Sequence, residues 1–456
     1  MPKKKELIEL YIDELAFPNK GRGLFEGERV MVKNTLPGEK VLACVTKAKH
    51  GRIEAALREV LEKAPYEIEP KCGQFGICGG CAYQNISCEK ENVIKKNQVL
   101  KLLETAGIKD FEFEGILSSP DLEGYRNKCE FSFGDSEKGG ILQLGMRKTR
   151  SMYEVASLAD CNIIDSDYRE IAGTVLEFFR SRNETFFHKK LHEGFLRHLV
   201  VRKGRVTGEI LVNLVTSSQS SLAEEEFVNA LLGLELAGKI TGILHTVNDN
   251  IADVVAADEM RILYGKEFFT ETIMGLEFKV TPFSFFQTNS KGAEVLYSVA
   301  KDYAGDSERN VIFDLYCGTG TIAQIMSSKA KKVIGVELVE EAVEAAKENA
   351  RRNGIENCEF IAGDVGRVIE TLEEKPDVII VDPPREGLRP NALEKLVEFD
   401  APEIIYISCK PTSLARDLSL LAEKGYKAEK IKCVNQFPRT RHIETVCLLR
   451  RRNKLD

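Results

Sequence analysis

The chain of 456 residues has no tryptophan, only 6 histidines and 14 prolines, and no apolar run that approaches a membrane span. Its longest continuous apolar stretches, such as VIIV at 378–381, fall far short of the roughly 20 residues a bilayer-crossing helix needs, so no such helix is expected. The amino terminus, MPKKKELIEL, is charged from the start and lacks the apolar centre of a secretory leader, which makes the cytoplasm the expected compartment. A composition of 43% hydrophobic and 30% charged residues excludes a wholly disordered chain, and 35 scattered glycines exclude a collagen-like repeat. The length excludes a single small binding module and predicts two or three domains. Twelve cysteines without a leader read as metal ligands, catalysts and buried hydrophobes rather than as a disulfide framework.

The net charge of -7 argues at face value against a polyanionic partner, but the charge is unevenly spread. Residues 1–60 carry 12 basic against 9 acidic side chains, and residues 407–456 carry 12 against 5. The acidic excess therefore belongs to the middle of the chain, and the basic ends remain compatible with nucleic acid.

Residues 1–58 contain four or five short strand-like stretches punctuated by glycines, the pattern of a small β-barrel. A cysteine-rich stretch follows at 70–88, then a helical pattern at 89–106 on a basic background. From about 125 to 265 strands dominate, interrupted by a helix near 166–183. After about 280, apolar runs ending in Gly, Asp, Glu, Ser or Cys alternate with helices, which predicts a mostly parallel sheet covered on both faces. The expected division is a barrel at 1–58, a central β domain at 59–270 that carries the cysteines, and an α/β domain at 271–456, with the helix near 89–106 packing on the last.

FDLYCGTGT (Phe313 to Thr321) places Asp314 at the end of a strand and Gly318 and Gly320 in the turn into a helix, where the backbone can approach a ligand closely. Glu337 ends the next strand about 20 residues on, at the position of a ribose-binding acid, and Asp364 ends the one after it. Helix capping explains one such acid readily but three with difficulty. Cys409 follows the apolar strand of IIYISCKP, with Lys410 and Arg416 nearby to favour a thiolate. Glu444 precedes the apolar TVCLL and is a candidate general base, the alternative being a surface pair with Arg441. Cys72, Cys78 and Cys81 stand in CGQFGICGGC, three thiols in ten residues, and imply a metal or cluster whose fourth ligand is Cys88, Cys129 or Cys161. On sequence alone Cys88 is the economical choice and gives a closed zinc site.

The D-x-x-C-G-x-G-T turn, the later Glu, the Gly-Asp and the Asp-Pro-Pro at 382–384 resemble a class I S-adenosylmethionine-dependent methyltransferase. DPPREG, YISCKP and RHIETV together resemble the RNA uracil-5-methyltransferase family, and the resemblance covers nearly the whole chain. It implies a Rossmann-like catalytic domain, a central mostly β domain and an amino-terminal TRAM or OB-like barrel that binds RNA. It further implies Cys409 as the nucleophile at uracil C6 and Glu444 as the base that removes the C5 proton. Asp314, Gly318, Glu337, Asp364 and Asp382 would bind S-adenosylmethionine. TPFSFFQTN at 281–289 resembles the family's P-x-x-F-x-Q-x-N element and adds Gln287, with Tyr316 packing near the cofactor. Arg385, where enzymes that methylate exocyclic amines carry an aromatic residue, argues against that chemistry. YRNK at 125–128 and LRHLVVR at 196–202 match the family and offer Arg126, Lys128, Arg197 and Arg202 to RNA. The resemblance favours a 4Fe-4S cluster held by Cys72, Cys78, Cys81 and Cys161, with Cys88 as the rival fourth ligand. Barrel and cluster together point to 23S ribosomal RNA, methylated by a monomer. A transfer-RNA T-loop enzyme and a non-catalytic RNA-binding protein are the alternatives.

Overall fold

The computed structural model describes residues 2–49, 51–250, 259–368 and 371–452. Its first sheet has six strands within Leu7–Glu62, and the strand Leu7–Tyr11 alternates exposed and buried positions, so every second side chain enters one small core. Ile8, Leu10, Val30, Val32, Val41 and Ile53 fill it. The long strands Lys40–Lys49 and Arg52–Glu62 pair with three register shifts, local bulges that bend the ribbon. The sheet curls but its edge strands, Leu7–Tyr11 and Glu14–Ala16, do not pair with each other, so the expected barrel is a half-barrel.

The central unit is a seven-stranded sheet spanning Lys128–Gly265, with the helices Ser166–Arg180 and Glu224–Leu232 against it. Phe131, Phe133, Phe178, Phe179, Phe195 and Phe227 make up much of the interior between them. The strand Leu196–Lys203 is buried along its whole length, so polar side chains on it are interior groups.

The third sheet has eight strands, in the order 358–362, 330–337, 309–315, 378–381, 403–408, 444–451, 426–435 and 112–118. The first five run parallel, as their continuous apolar sequences require of strands covered on both faces, and 444–451 runs antiparallel between its neighbours. The edge strand Glu112–Ser118 comes from the stretch the sequence assigned to the central domain. So does the helix α1 (Cys88–Thr105), which buries Val99 and Leu103 in the core of the third sheet. The catalytic domain thus takes in 88–118 as well as the carboxyl-terminal half. Truncating the fully buried Ile380 in the strand Val378–Val381 to alanine should cost about 2–5 kcal/mol of unfolding free energy, read by denaturant titration.

Candidate active site

Sheet order reverses beside the strand Arg309–Leu315, whose chain continues outward to one side through 330–337 and to the other through 378–381. At such a switch point the connections leave in opposite directions and open a crevice at the carboxyl ends of the strands. Tyr316 and Asp382 stand at that rim. Tyr316, Gly318 and Gly320 all have positive φ, at 68°, 53° and 75°. A Cβ on Gly320 would lie 2.7 Å from the Phe360 ring and 2.8 Å from Ala346 Cβ, so only glycine lets the turn pack there.

Asp314 is fully buried: its Oδ2 accepts the Ala323 amide at 2.8 Å, which orients the turn, and its Oδ1 has no protein partner. Burial, with Asp382 and Glu337 nearby, drives its carboxyl well above the usual range. Glu337 accepts the Gly318 amide at 3.0 Å and the Val339 amide at 3.1 Å, which fixes both carboxylate oxygens at the glycine turn. Asp364 accepts the Gly366 amide at 3.1 Å and lies near Tyr316. Gln287 accepts from Gln436 Nε2 at 3.0 Å, which ties the 281–289 element to the loop before Glu444.

Strand register brings the two candidate catalytic residues together. Ser408 pairs with Thr445 across the antiparallel strands, so Cys409, one residue further along, and Glu444, one residue back, emerge at the same sheet end. Burial pushes the Cys409 thiol up to about 11, and the carboxyls of Glu444 and Asp382 add to it. The charge of Arg385 opposes them and favours the thiolate. Burial likewise raises Asp382 to about 7. It raises Glu444 to about 8, with Asp382 adding and Arg385 and Lys95 opposing. Glu444 is buried and not a surface partner of Arg441.

Arg385 is therefore a cation acting on the thiol, whereas Arg416, one of the expected helpers, bonds Asp417 at 2.8 Å and the Glu386 carbonyl at 2.7 Å. Three further groups that sequence reasoning did not single out face the same space. Tyr297 meets Gln287, Asp382, Asp314 and Glu444, and its phenol is driven well up by burial. His442 is depressed to about 4 by burial and by the surrounding cations, Arg385 first among them. Lys95 reaches the site from α1. The RHIE spacing signals His442, but nothing local signals Tyr297 or Lys95.

Of the basic residues expected to meet RNA, Arg197 and Arg202 serve inside the fold and Arg126 and Lys128 are half-buried. Arg202 is buried and donates to the Pro282 carbonyl at 3.2 Å and the Ser284 carbonyl at 2.6 Å, so it braces the 281–289 element. Arg197 is buried and donates to the Asn248 and Asn250 carbonyls. Lys128 pairs with Glu130. Arg126 donates to Thr288 Oγ1 at 3.1 Å and lies 5.0 Å from the Phe437 ring centre. Asn127 donates to the Gln287 carbonyl and to Ser290 Oγ, both at 2.8 Å, and Tyr125 donates to the Pro438 carbonyl at 2.8 Å. YRNK is a clasp that joins the central domain to both edges of the crevice. Arg202→Met should therefore weaken methyl-donor affinity more than RNA affinity, measured by calorimetry and filter binding respectively.

Cys72, Cys78, Cys81 and Cys161 line one cavity of about 360 Å³, where Cys129 joins them. Gln84 donates to Asn162 Oδ1 at 2.7 Å, so the Cys81 and Cys161 loops are tied together. Burial raises the Cys81 thiol to about 12, with the other three thiols contributing. Among the described residues no three His, Cys, Asp or Glu side chains converge tightly enough to hold a single ion. Cys88 lies outside this cavity, at the start of α1 beside Ser118 Oγ at 4.0 Å. The economical zinc set with Cys88 is not assembled.

A methyltransferase domain model matches residues 306–444. An uncharacterised RNA methyltransferase of Clostridium tetani is 50% identical over 455 residues, covering 100% of both chains. One from Caldanaerobacter subterraneus is 47% identical, covering 98% of this chain and 99% of its own. The crystal structure of the Pyrococcus abyssi tRNA (uracil-54, C5)-methyltransferase, complexed with S-adenosyl-L-homocysteine, superposes with a TM-score of 0.77 at 25% identity, covering 97% of this chain and 100% of that one. The parallel sheet, its glycine turn and relatives matched end to end agree, and the chain belongs to the RNA methyltransferase family.

Proposed function

We propose that this protein transfers a methyl group from S-adenosylmethionine to C5 of a uridine in 23S ribosomal RNA, through a covalent bond between Cys409 and uracil C6. The observation that carries the reading is the strand register that sets Cys409 beside Glu444 at the mouth of the crevice. Uracil C5 is a weak nucleophile. Attack of the Cys409 thiolate on C6 moves the C5–C6 π electrons toward C5 and O4, which makes C5 reactive, and Arg385 stabilises the thiolate beforehand. Once C5 has taken the methyl group from the donor sulfur, whose bond to that methyl breaks, Glu444 takes the C5 proton, the double bond re-forms and the thiolate leaves C6. A uridine within a stacked RNA cannot reach a buried thiol, so the base is flipped into the pocket. Both catalytic groups come from one chain, so a monomer suffices.

The crevice suits the methyl donor. The unpartnered Asp314 Oδ1 is a buried acceptor, and the Gly320 turn has no room for a side chain. Glu337 would hold the ribose hydroxyls, Asp364 and Tyr316 the adenine end, and Asp314, Gly318, Gln287 and Asp382 the methionine end. When bound, the sulfonium supplies an electrophilic methyl group. Gly320→Val should abolish donor binding while leaving RNA binding intact, as equilibrium dialysis and filter binding would show.

The four thiols suit a 4Fe-4S cluster, whose ligands stand further apart than those of one ion. In this reading the cluster knits the cysteine loop to the central domain. The loop in turn reaches the catalytic end, because the Ala82 and Tyr83 amides donate to the Arg439 carbonyl at 2.8 Å and 3.0 Å. Anaerobically purified protein should be brown and hold four irons, and Cys161→Ala should lose the colour; one zinc and no colour would overturn this.

The half-barrel supports RNA binding as a TRAM-like module, and the central domain follows it in the chain, less the 88–118 segment that joins the catalytic unit. The barrel does not separate ribosomal from transfer RNA, because the Pyrococcus tRNA enzyme matches over 97% of this chain. That match favours a transfer-RNA T-loop uridine as the second reading. Mapping 5-methyluridine in RNA from a strain lacking the gene decides. Loss in 23S RNA is expected, and loss confined to transfer RNA assigns the second reading.

A further inference from the structure

α1 carries an ion pair in an unusual place. Glu91 and Lys95 are four residues apart on one helical face, a spacing that normally serves surface pairs, yet both side chains are fully buried. Lys95 Nζ lies 2.7 Å from Glu91 Oε1 and donates to Asn435 Oδ1 at 2.7 Å. Asn435 Nδ2 donates to Glu91 Oε1 at 3.0 Å and to Asn92 Oδ1 at 2.8 Å. Both Glu91 oxygens also accept the Arg439 amide at 3.0 Å. Both carboxylate oxygens of Glu91 thus have donors, and Glu91 opposes the burial that lowers the Lys95 ammonium from its ordinary value. Asn435 ends the strand Tyr426–Asn435, and its neighbour Val434 pairs directly with Glu444. The network thus grips the strand end and the 435–444 loop on either side of Glu444.

We propose that Lys95 is a positioning residue for Glu444: held by Glu91 and Asn435, it presents a buried positive charge that keeps the Glu444 carboxyl available as a base. The proposal rests on the reading of Glu444 as that base. Lys95 Nζ bonds Asn435, the residue after the Val434 that pairs with Glu444, whereas Glu91 receives the Arg439 amide, so the cation of the pair lies toward the strand end that carries Glu444. Glu444 is faced by Asp382 and Arg385 from the loop after 378–381, by Cys409 from the end of 403–408, by Tyr297 from the helix Ser290–Tyr303, and by Lys95 from α1. Lys95 in turn is faced by Glu91, Cys88 and Glu444, by His442, and by the Tyr83 ring at 5.8 Å. Of the two cations acting on Glu444, Arg385 also acts on the Cys409 thiol.

A nearby opposite charge lowers a carboxyl by one unit or more, so removing Lys95 raises Glu444 and starves the base at neutral pH. The test uses the full-length protein with Lys95→Met and Glu91→Gln combined, so that no unpaired charge is left buried, and Lys95→Arg as the conservative variant. Single-turnover methylation of uridine RNA is measured from pH 6 to 10. The double variant should lose about tenfold at pH 7 and recover at high pH, a rising limb displaced upward by about one unit. Lys95→Arg should stay close to wild type. Adduct formation with 5-fluorouridine RNA, which needs Cys409 but no C5 proton transfer, should be unchanged. A profile that superposes on wild type, or one lowered equally at every pH, overturns the proposal, as does a parallel fall in adduct formation. Glu444→Gln in the same assay separates the two readings. If it releases product at the wild-type rate, the base assignment itself fails and this inference with it. If it stalls as a covalent adduct while the double variant keeps the wild-type profile, only the role of Lys95 fails.

Discussion

Cys409→Ala should reduce methylation below detection, a loss on the order of 10⁴-fold or more, and should abolish the covalent adduct with 5-fluorouridine RNA. Donor and RNA affinities should stay close to wild type, because the side chain sits at the end of the strand Glu403–Ser408 and takes no part in the cores on either face of the sheet. The expectation follows from the division of labour in the site. No other thiol stands at that strand end: Cys433 and Cys447 are fully buried within their strands, and Cys317 lies in the glycine turn, its thiol driven up by burial. With the Cys409 thiol itself pushed up to about 11, the attacking thiolate is scarce at neutral pH, and the Arg385 charge acts to favour it. Arg385→Met should therefore slow adduct formation by about tenfold or more, with the loss recovered in part at alkaline pH. Wild-type turnover by Cys409→Ala, measured by transfer of labelled methyl to RNA, would remove the covalent route.

The parts of the site that were legible in the sequence are those written into contiguous residues. Asp314, Gly318 and Gly320 share one nine-residue turn, and Glu337, Asp364, Asp382 and Cys409 each terminate a continuous apolar run, so their placement follows from the strand rule alone. Pairings between distant segments were not legible. KENVIKKNQVLK reads as a helix with lysines on a solvated face, and only Asn435, 340 positions away, reveals that Lys95 is interior. Arg202 likewise looks like a surface cation until the strand Leu196–Lys203 is seen to be covered on both faces. YRNK matched a family pattern whose work was misassigned to RNA, because its partners at Gln287, Thr288 and Pro438 lie more than 150 residues on. The strand Glu112–Ser118 is not legible as part of the catalytic sheet for the same reason, since its partner Tyr426–Asn435 is contributed by the far end of the chain.

Glu444→Gln should produce the opposite phenotype from Cys409→Ala: turnover falls by about 10²–10⁴-fold, and a covalent protein–RNA complex accumulates on ordinary uridine substrate. Glutamine keeps the shape of the side chain but cannot accept the C5 proton, so bond formation at C6 proceeds and release does not. The pH dependence gives a second reading of the same group. Burial, with Asp382 beside it, holds Glu444 up to about 8 against the opposing charges of Arg385 and Lys95. Only the ionised carboxylate is a base and only the thiolate attacks, so kcat/KM should rise steeply with pH and lose the Glu444 limb, about tenfold per unit, near pH 8, above which the shallower rise set by Cys409 continues. His442 does not account for such a limb, because burial and its cationic neighbours depress it to about 4 and it stays neutral throughout. The residual activity of Glu444→Gln should lack the limb, while Glu444→Asp, which retains a carboxylate, should keep a limb at reduced rate. Product release by Glu444→Gln at the wild-type rate, or a limb unchanged in it, would assign proton removal to another group, with Asp382, held up to about 7 by burial and acting on the same thiol, the next candidate.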